Sequence, residues 1–209
     1  FDITSGYHKI TRQELRDTAV TLLDKVTKAI GNSHRRRIES DVINGTGTGV
    51  TGVKGLIASA TVYGAAVDAF TPDLFEGVYF SVPQQYRNQC VWLFSDTSMA
   101  KAVNKLKDTT GKSLFGKTAA DGAEIRTLFE RPVFTSEFMP AYGANAKSVL
   151  FFHPGHYMLR LVADQTIDVL KEKFYPHLAY AGGMAFGGGW RGPASTCKAI
   201  QSDAGPDGT

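Results

Sequence analysis

One long apolar stripe near the start of the chain constrains its fold more than any other feature. Leu15, Ala19, Leu22, Leu23, Val26, Ala29 and Ile30 recur at three- and four-residue steps, and Ile38 and Val42 resume the stripe beyond His34-Arg35-Arg36-Arg37. That spacing puts them on one face of a helix. Just before the stripe, Thr11-Arg12-Gln13-Glu14 is a capping-box pattern, in which the threonine oxygen and the glutamate carboxylate satisfy free amides of the first turn. After it, the run Asn44 to Gly55 holds five glycines and stops the helix. A helix from Arg12 to Ile43 would span roughly 48 Å at ~1.5 Å per residue. A rod of that length sets the long dimension of whatever is built around it.

The rest of the chain reads as a mixture of helices and strands. Phe1 to Ile10 alternates loosely, Pro72 after Thr71 suits the first turn of a short amphipathic helix, and Cys90-Val91-Trp92-Leu93-Phe94 is a compact apolar run of the kind a buried strand shows. Ser95 or Asp96 then caps a helix from about Thr97 to Lys107, with Met99, Ala102, Val103 and Leu106 on one face. Asp108 to Gly111 is a turn, Pro132 marks an edge or a strand start, and Val149 to Phe152 is a second apolar strand. Tyr157 to Val162 and Thr166 to Phe174 read as paired strands. The glycine-rich run Gly182 to Gly189 reads as lacking side chains to pack, Thr196 to Gln201 as a last strand, and the tail from Ser202 as polar and mobile.

Composition narrows the function classes. With 43% hydrophobic and 21% charged residues among 209, the chain is an ordinary globular one, neither disordered nor fibrous. Its longest uncharged run, Phe174 to Trp190, contains five glycines, a proline and a histidine and falls short of a membrane helix. A start at Phe1 with no basic-then-apolar leader reads as a processed product or fragment. Cys90 and Cys197 lie far apart without metal-ligand spacing and read as packing residues in a reducing compartment. A formal charge of +3 is too small for a dedicated nucleic-acid binder.

Three patterns invite a chemical reading. Gly111-Lys112-Ser113-Leu114-Phe115-Gly116-Lys117-Thr118 satisfies the phosphate-loop pattern letter for letter, which would make the chain a nucleotide-binding enzyme. A phosphate loop follows a buried strand and opens a helix, whereas this one follows a helix, places Leu114 and Phe115 inside the loop and leads into a poor helix start. A turn followed by a strand fits better. Gly47, Gly49 and Gly52 match a dinucleotide-binding triplet but again follow a helix, and read as a flexible helix exit. His153 and His156 flank Pro154-Gly155 and read as surface turn residues rather than metal ligands. No serine or cysteine carries a nucleophile signature, so no catalytic, cofactor or metal residue is expected. Arg35, Arg36 and Arg37 form a solvated helix face that could meet a neighbouring chain or nucleic-acid phosphates.

Taken in order, these segments resemble the major capsid protein family of tailed phages. The resemblance rests on the long helix closed by Ile43-Asn44-Gly45-Thr46-Gly47, then Gly52-Val53-Lys54-Gly55-Leu56, then the helix around Leu74 and the strand–helix unit Val91 to Leu106. It continues through the Lys107 to Gly111 turn with Leu114-Phe115-Gly116, and Leu128-Phe129-Glu130-Arg131-Pro132-Val133. It implies the α+β, HK97-like capsid fold shared with encapsulin shells. In that fold 1–45, with its spine helix, and 149–195 would form a peripheral domain, and 46–148 with 196–209 an axial domain. It implies a subunit that self-assembles into hexamers and pentamers of an icosahedral head around double-stranded DNA, in the virion after assembly in host cytoplasm. Scaffold, portal and decoration proteins would be further partners, and no membrane is involved. Two departures stand out: the family's N-terminal arm and extended loop would precede Phe1, and Glu130 replaces a usual glycine.

Overall fold

The computed structural model describes residues 2–4, 6–47, 52–107, 111–120 and 123–203. Two short strands, β1 (Asp2–Thr4) and β2 (His8–Ile10), lead into the helix α1 (Arg12–Asn44), whose 33 residues run without a break. At the helical rise this is about 50 Å. A short helix α2 (Leu56–Ser59) and strand β3 (Thr61–Val62) follow, then α3 (Pro72–Ser81), α4 (Gln84–Arg87), β4 (Val91–Phe94) and α5 (Asp96–Lys105). Thr71 accepts from the Leu74 amide to cap α3 behind Pro72, and Ser95 accepts from the Ser98 amide to cap α5. The remaining strands are β5 (Phe115–Ala120), β6 (Ala123–Leu128), β7 (Arg131–Thr135), β8 (Ala146–Phe152), β9 (Tyr157–Leu170), β10 (Leu178–Trp190) and β11 (Cys197–Ser202).

Seven strands form one sheet in the order β3-β11-β8-β4-β7-β6-β5, with β3–β11 and β4–β7 parallel. Its central strands are buried on both faces, which explains their continuous apolar runs. Trp92, Phe94, Val149, Phe151 and Ile200 point to one side, into a core closed by Phe75 and Val78 of α3 and Met99 and Ala102 of α5. Their sequence neighbours Leu93, Leu150, Phe152 and Ala199 point to the other side, against Ile43 of α1 and Leu56 of α2. Cys90 and Cys197 are buried and free, and burial pushes their thiols up to about 11 and about 12. They are packing residues, as their spacing implied.

The second sheet is the cradle of α1. β10 is its spine, with β1 and β2 paired along one edge and β9 along the other. Two sequence expectations need correction here. Tyr157 to Val162 and Thr166 to Phe174 are not partners of each other: the first and most of the second belong to the single strand β9. Its partner is β10, which contains the glycine run expected to lack packing groups. A strand needs only alternate side chains to pack. Leu178, Tyr180, Met184 and Phe186 fill the side facing Ile30 and Ile38 of α1, while glycine and alanine take the other side.

The β6–β7 hairpin turns through Phe129 (φ 50°) and Glu130 (φ 62°), with Leu128 and Arg131 as the closing pair. Both central residues lie in the left-handed region that such two-residue turns demand and that glycine occupies most cheaply. Phe129 compensates by placing its ring 5.6 Å from that of Tyr79, whereas Glu130 is exposed. Glu130→Gly is therefore expected to stabilise the protein by about 0.5–1 kcal/mol, the relieved left-handed strain less glycine's extra chain entropy. A higher urea midpoint at unchanged slope would register it, and Phe129→Gly should move the midpoint the other way.

Candidate interaction surfaces

The C-terminal third of α1 is tied to the segment that follows β7. Ser136 donates to the Glu39 carboxylate (2.8 Å), Asn44 Nδ2 donates to the Phe138 carbonyl (2.7 Å), and Arg36 pairs with Glu137 (2.8 Å) with its guanidinium 5.7 Å from the Phe138 ring. Arg37 pairs with Asp41 one turn on (3.0 Å). The three arginines thus have different surroundings: Arg36 and Arg37 are engaged within the chain, and Arg35 has no ion-pair partner among the described residues. Glu39, Glu137 and Asn44 escaped the sequence reading because their partners lie some ninety residues away, beyond any local pattern.

Arg35 borders a groove of ≈ 420 Å³ lined by Gly31, His34, Ile38, Glu39, Val42 and Met184. His34 is buried there, and neither ring nitrogen has a hydrogen-bond partner among the described residues.

His153 and His156 are not the exposed turn pair their spacing suggested. His153 is buried, its Nε2 2.7 Å from Gln89 Oε1, and its ring stacks on that of His156 at 4.3 Å. Tyr86 meets both rings edge-on, Trp190 meets His156, and His156 Nδ1 lies 3.0 Å from Thr196 Oγ1. Partial burial and the neighbouring His153 hold the His156 pKa below its ordinary value. Stacked rings turn their nitrogens outward in parallel rather than toward a shared point, a packing arrangement. No group of three His, Cys, Asp or Glu among the described residues is placed to hold a metal.

The phosphate-loop pattern falls on a β-hairpin. Residues Phe115 to Ala120 form β5, paired antiparallel with β6 from Phe115↔Leu128 to Ala120↔Ala123, and Lys107 bridges to Ser113 before it. A strand presents its amides sideways to its neighbour, whereas a phosphate site needs the converging amides of a helix start. Asp108 to Thr110 of the expected turn lie outside the described residues, as do Gly49 and the tail beyond Asp203. Titration calorimetry with ATP and magnesium is expected to show no saturable heat, and Lys117→Ala to leave that result unchanged. A micromolar isotherm abolished by the substitution would restore the nucleotide reading.

The glycine-rich helix exit is a tight clasp rather than a flexible tether in its described part. Gly47 N–H donates to Val53, Gly55 N–H to Gly45 and Lys54 N–H to Gly188 of β10, so the chain leaving α1 doubles back and is sewn to the cradle.

The most apolar exposed surface runs along β9. Met158, Leu159, Leu161, Val162, Ile167 and Val169 are all exposed on a 14-residue strand that forms the outer edge of its sheet. An open edge of this kind invites another chain, and a lone soluble domain normally hides it. Such a surface, beside a long helix laid on a sheet, suits a chain that associates with other chains.

Comparison with known proteins agrees. The model of the phage capsid family matches residues 4–198, and the chain belongs to that family. It has the HK97-like capsid fold and is a structural subunit of an icosahedral shell. Among solved structures, the capsid of an empty GTA particle is similar at 21% identity, with a TM-score of 0.79 over 97% of this chain and 73% of that one. The holo-SrpI encapsulin complex from Synechococcus elongatus PCC 7942 is similar at 13% identity and TM-score 0.75, covering 100% of this chain and 76% of that one. A chain from Gordonia phage Cozz has 13% identity and TM-score 0.65, covering 96% and 70%. No curated protein matches. Among the described residues no helix is long and apolar enough to cross a membrane.

Proposed function

We propose that this shell subunit is the major capsid protein of a tailed phage, assembling as hexamers and pentamers into a head that encloses double-stranded DNA. The family match across 4–198 is the observation that carries this reading. In it, α1 and the sheet around β10 form the core of a peripheral domain, and the seven-stranded sheet the core of an axial domain near the capsomer centre. The boundaries of 1–45 with 149–195, and 46–148 with 196–209, follow from the family resemblance, except that 149–152 complete β8 and so go with the seven-stranded sheet. Arg35, Arg36 and Arg37 then face the lumen or a neighbouring subunit, Arg35 as the cation with a charge to share. Scaffold and portal proteins, and decoration proteins where present, are its assembly partners, the host cytoplasm is its assembly site, and shell-building without catalysis is its task.

Electron microscopy of particles formed by the expressed protein, with scaffold where needed, tests this reading. Closed shells carrying nuclease-protected DNA are expected. Shells filled with a protein cargo would shift the reading to an encapsulin-type compartment, a possibility raised by the shared fold. A permanently monomeric protein would overturn both.

A further inference from the structure

We propose that β9 is a two-fold pairing edge, on which a second copy of this chain lays its own β9 antiparallel. This rests on the reading of the chain as a shell subunit and names one contact between its copies.

The strand forms the outer edge of its sheet over its whole length, Tyr157–Leu170. Its register against β10 assigns its faces. Leu161 pairs with Phe186, Leu159 with Gly188, Ile167 with Gly182 and Val169 with Tyr180, so these four lie on the α1 side of the sheet. Arg160 pairs with Gly187 and Asp168 with Ala181, which places both on the opposite side, over a strip of glycine and alanine. All six are exposed, and neither Arg160 nor Asp168 has an ion-pair partner among the described residues.

The pattern is self-complementary. Turned about a two-fold axis at position 164, β9 sets Leu161 against the second copy's Ile167 and Leu159 against its Val169, all on the α1 side. On the other side it sets Arg160 against the second copy's Asp168, twice by symmetry. Apolar cross-strand neighbours and opposite charges directly across are the stabilising pairs of an antiparallel ladder, and an isologous contact uses the same patch on both partners. The centre of the ladder is residue 164. The register against β10 slips twice there, between Leu161 and Thr166. A bulge leaves residues out of the ladder, so pairing falls to the two arms, 157–161 and 167–170.

Arg160→Asp and Asp168→Arg, made separately in the whole chain, test the pairing. Each alone puts like charges together twice, whereas an equimolar mixture restores opposite charges in every mixed pair. Self-association by sedimentation is expected to fall about ten-fold or more for each variant and to return to within about two-fold of the original protein in the mixture. Circular dichroism should be unchanged, since both side chains are exposed. As a second measurement, Leu161→Cys mixed with Ile167→Cys should give a disulfide-linked dimer on mild oxidation, while Cys90 and Cys197 stay buried. Shells that form normally from either charge variant, a mixture no better than its components, or no cross-link would overturn the pairing and leave the shell reading intact. A protein that never forms shells yet shows the cross-link and the charge rescue would do the reverse.

Discussion

Trp92→Ala is expected to destabilise the subunit by about 3–5 kcal/mol, the range for deleting a fully buried large aromatic side chain. Trp92 is fully buried at the centre of the seven-stranded sheet, its ring 4.3 Å from that of Phe151, 5.5 Å from that of Phe75 and 6.3 Å from that of Phe94. Its indole N–H also donates to the Leu128 carbonyl at 3.2 Å, on the strand that enters the Phe129-Glu130 turn. Alanine would leave a cavity between α3 and the sheet and a buried carbonyl without its donor. Trp92→Phe keeps most of the ring contact and loses the hydrogen bond, so its cost should be smaller, about 1–3 kcal/mol. Urea unfolding followed by circular dichroism separates the two, and particle yield should fall in the same order. An alanine variant within about 1 kcal/mol of the original protein would mean that the aromatic cluster is not the centre of the core.

Gly45→Ala is expected to cost at least as much as ordinary overpacking, about 1–3 kcal/mol, because the obstacle is backbone and cannot swing aside. A methyl at Gly45 would sit 2.3 Å from the Val53 carbonyl oxygen and 2.5 Å from that of Asp41. At Gly55 it would meet the Gly45 nitrogen and the Ile43 oxygen, each at 2.6 Å. The two glycines let the end of α1 and the returning chain touch backbone to backbone, and the Gly55 N–H to Gly45 carbonyl bond of 2.7 Å closes the clasp. Either substitution should loosen α1 from β10, so amide exchange at Lys54 and Gly55 should accelerate while the far edge of the seven-stranded sheet keeps its protection. Unchanged exchange at these amides would show that the clasp does not hold the helix exit.

The elements written in local chemistry were legible in advance. The capping box at Thr11 and the apolar stripe from Leu15 to Val42 predict α1, Thr71-Pro72 predicts α3, and Ser95 predicts the start of α5. Apolar runs at 90–94 and 149–152 predict β4 and β8. In each case the signal lies within a few residues and the structure has no competing use for them. The phosphate-loop letters read as a turn followed by a strand, because the flanking residues contain no helix start, and β5 is that strand.

The rest was decided by residues distant in sequence. The glycines of β10 look unfit for packing until the alternate residues Leu178, Tyr180, Met184 and Phe186 are set against α1, and the period of Tyr180, Met184 and Phe186 is hidden because glycine occupies intervening positions on both sides. His153 looks like a surface turn residue, but Tyr86 of α4 and Gln89 of the turn after it enclose it from more than sixty residues earlier. Arg35, Arg36 and Arg37 look alike in the sequence, yet only Arg36 reaches Glu137 and only Arg37 points back at Asp41. By itself the sequence determined α1, α3 and α5, the buried strands β4 and β8 and the order of segments, since those depend on short-range periodicity and capping. The tertiary structure alone decided which strand pairs with β9, which charges remain free and which surface stays open, because each depends on what the folded chain brings alongside.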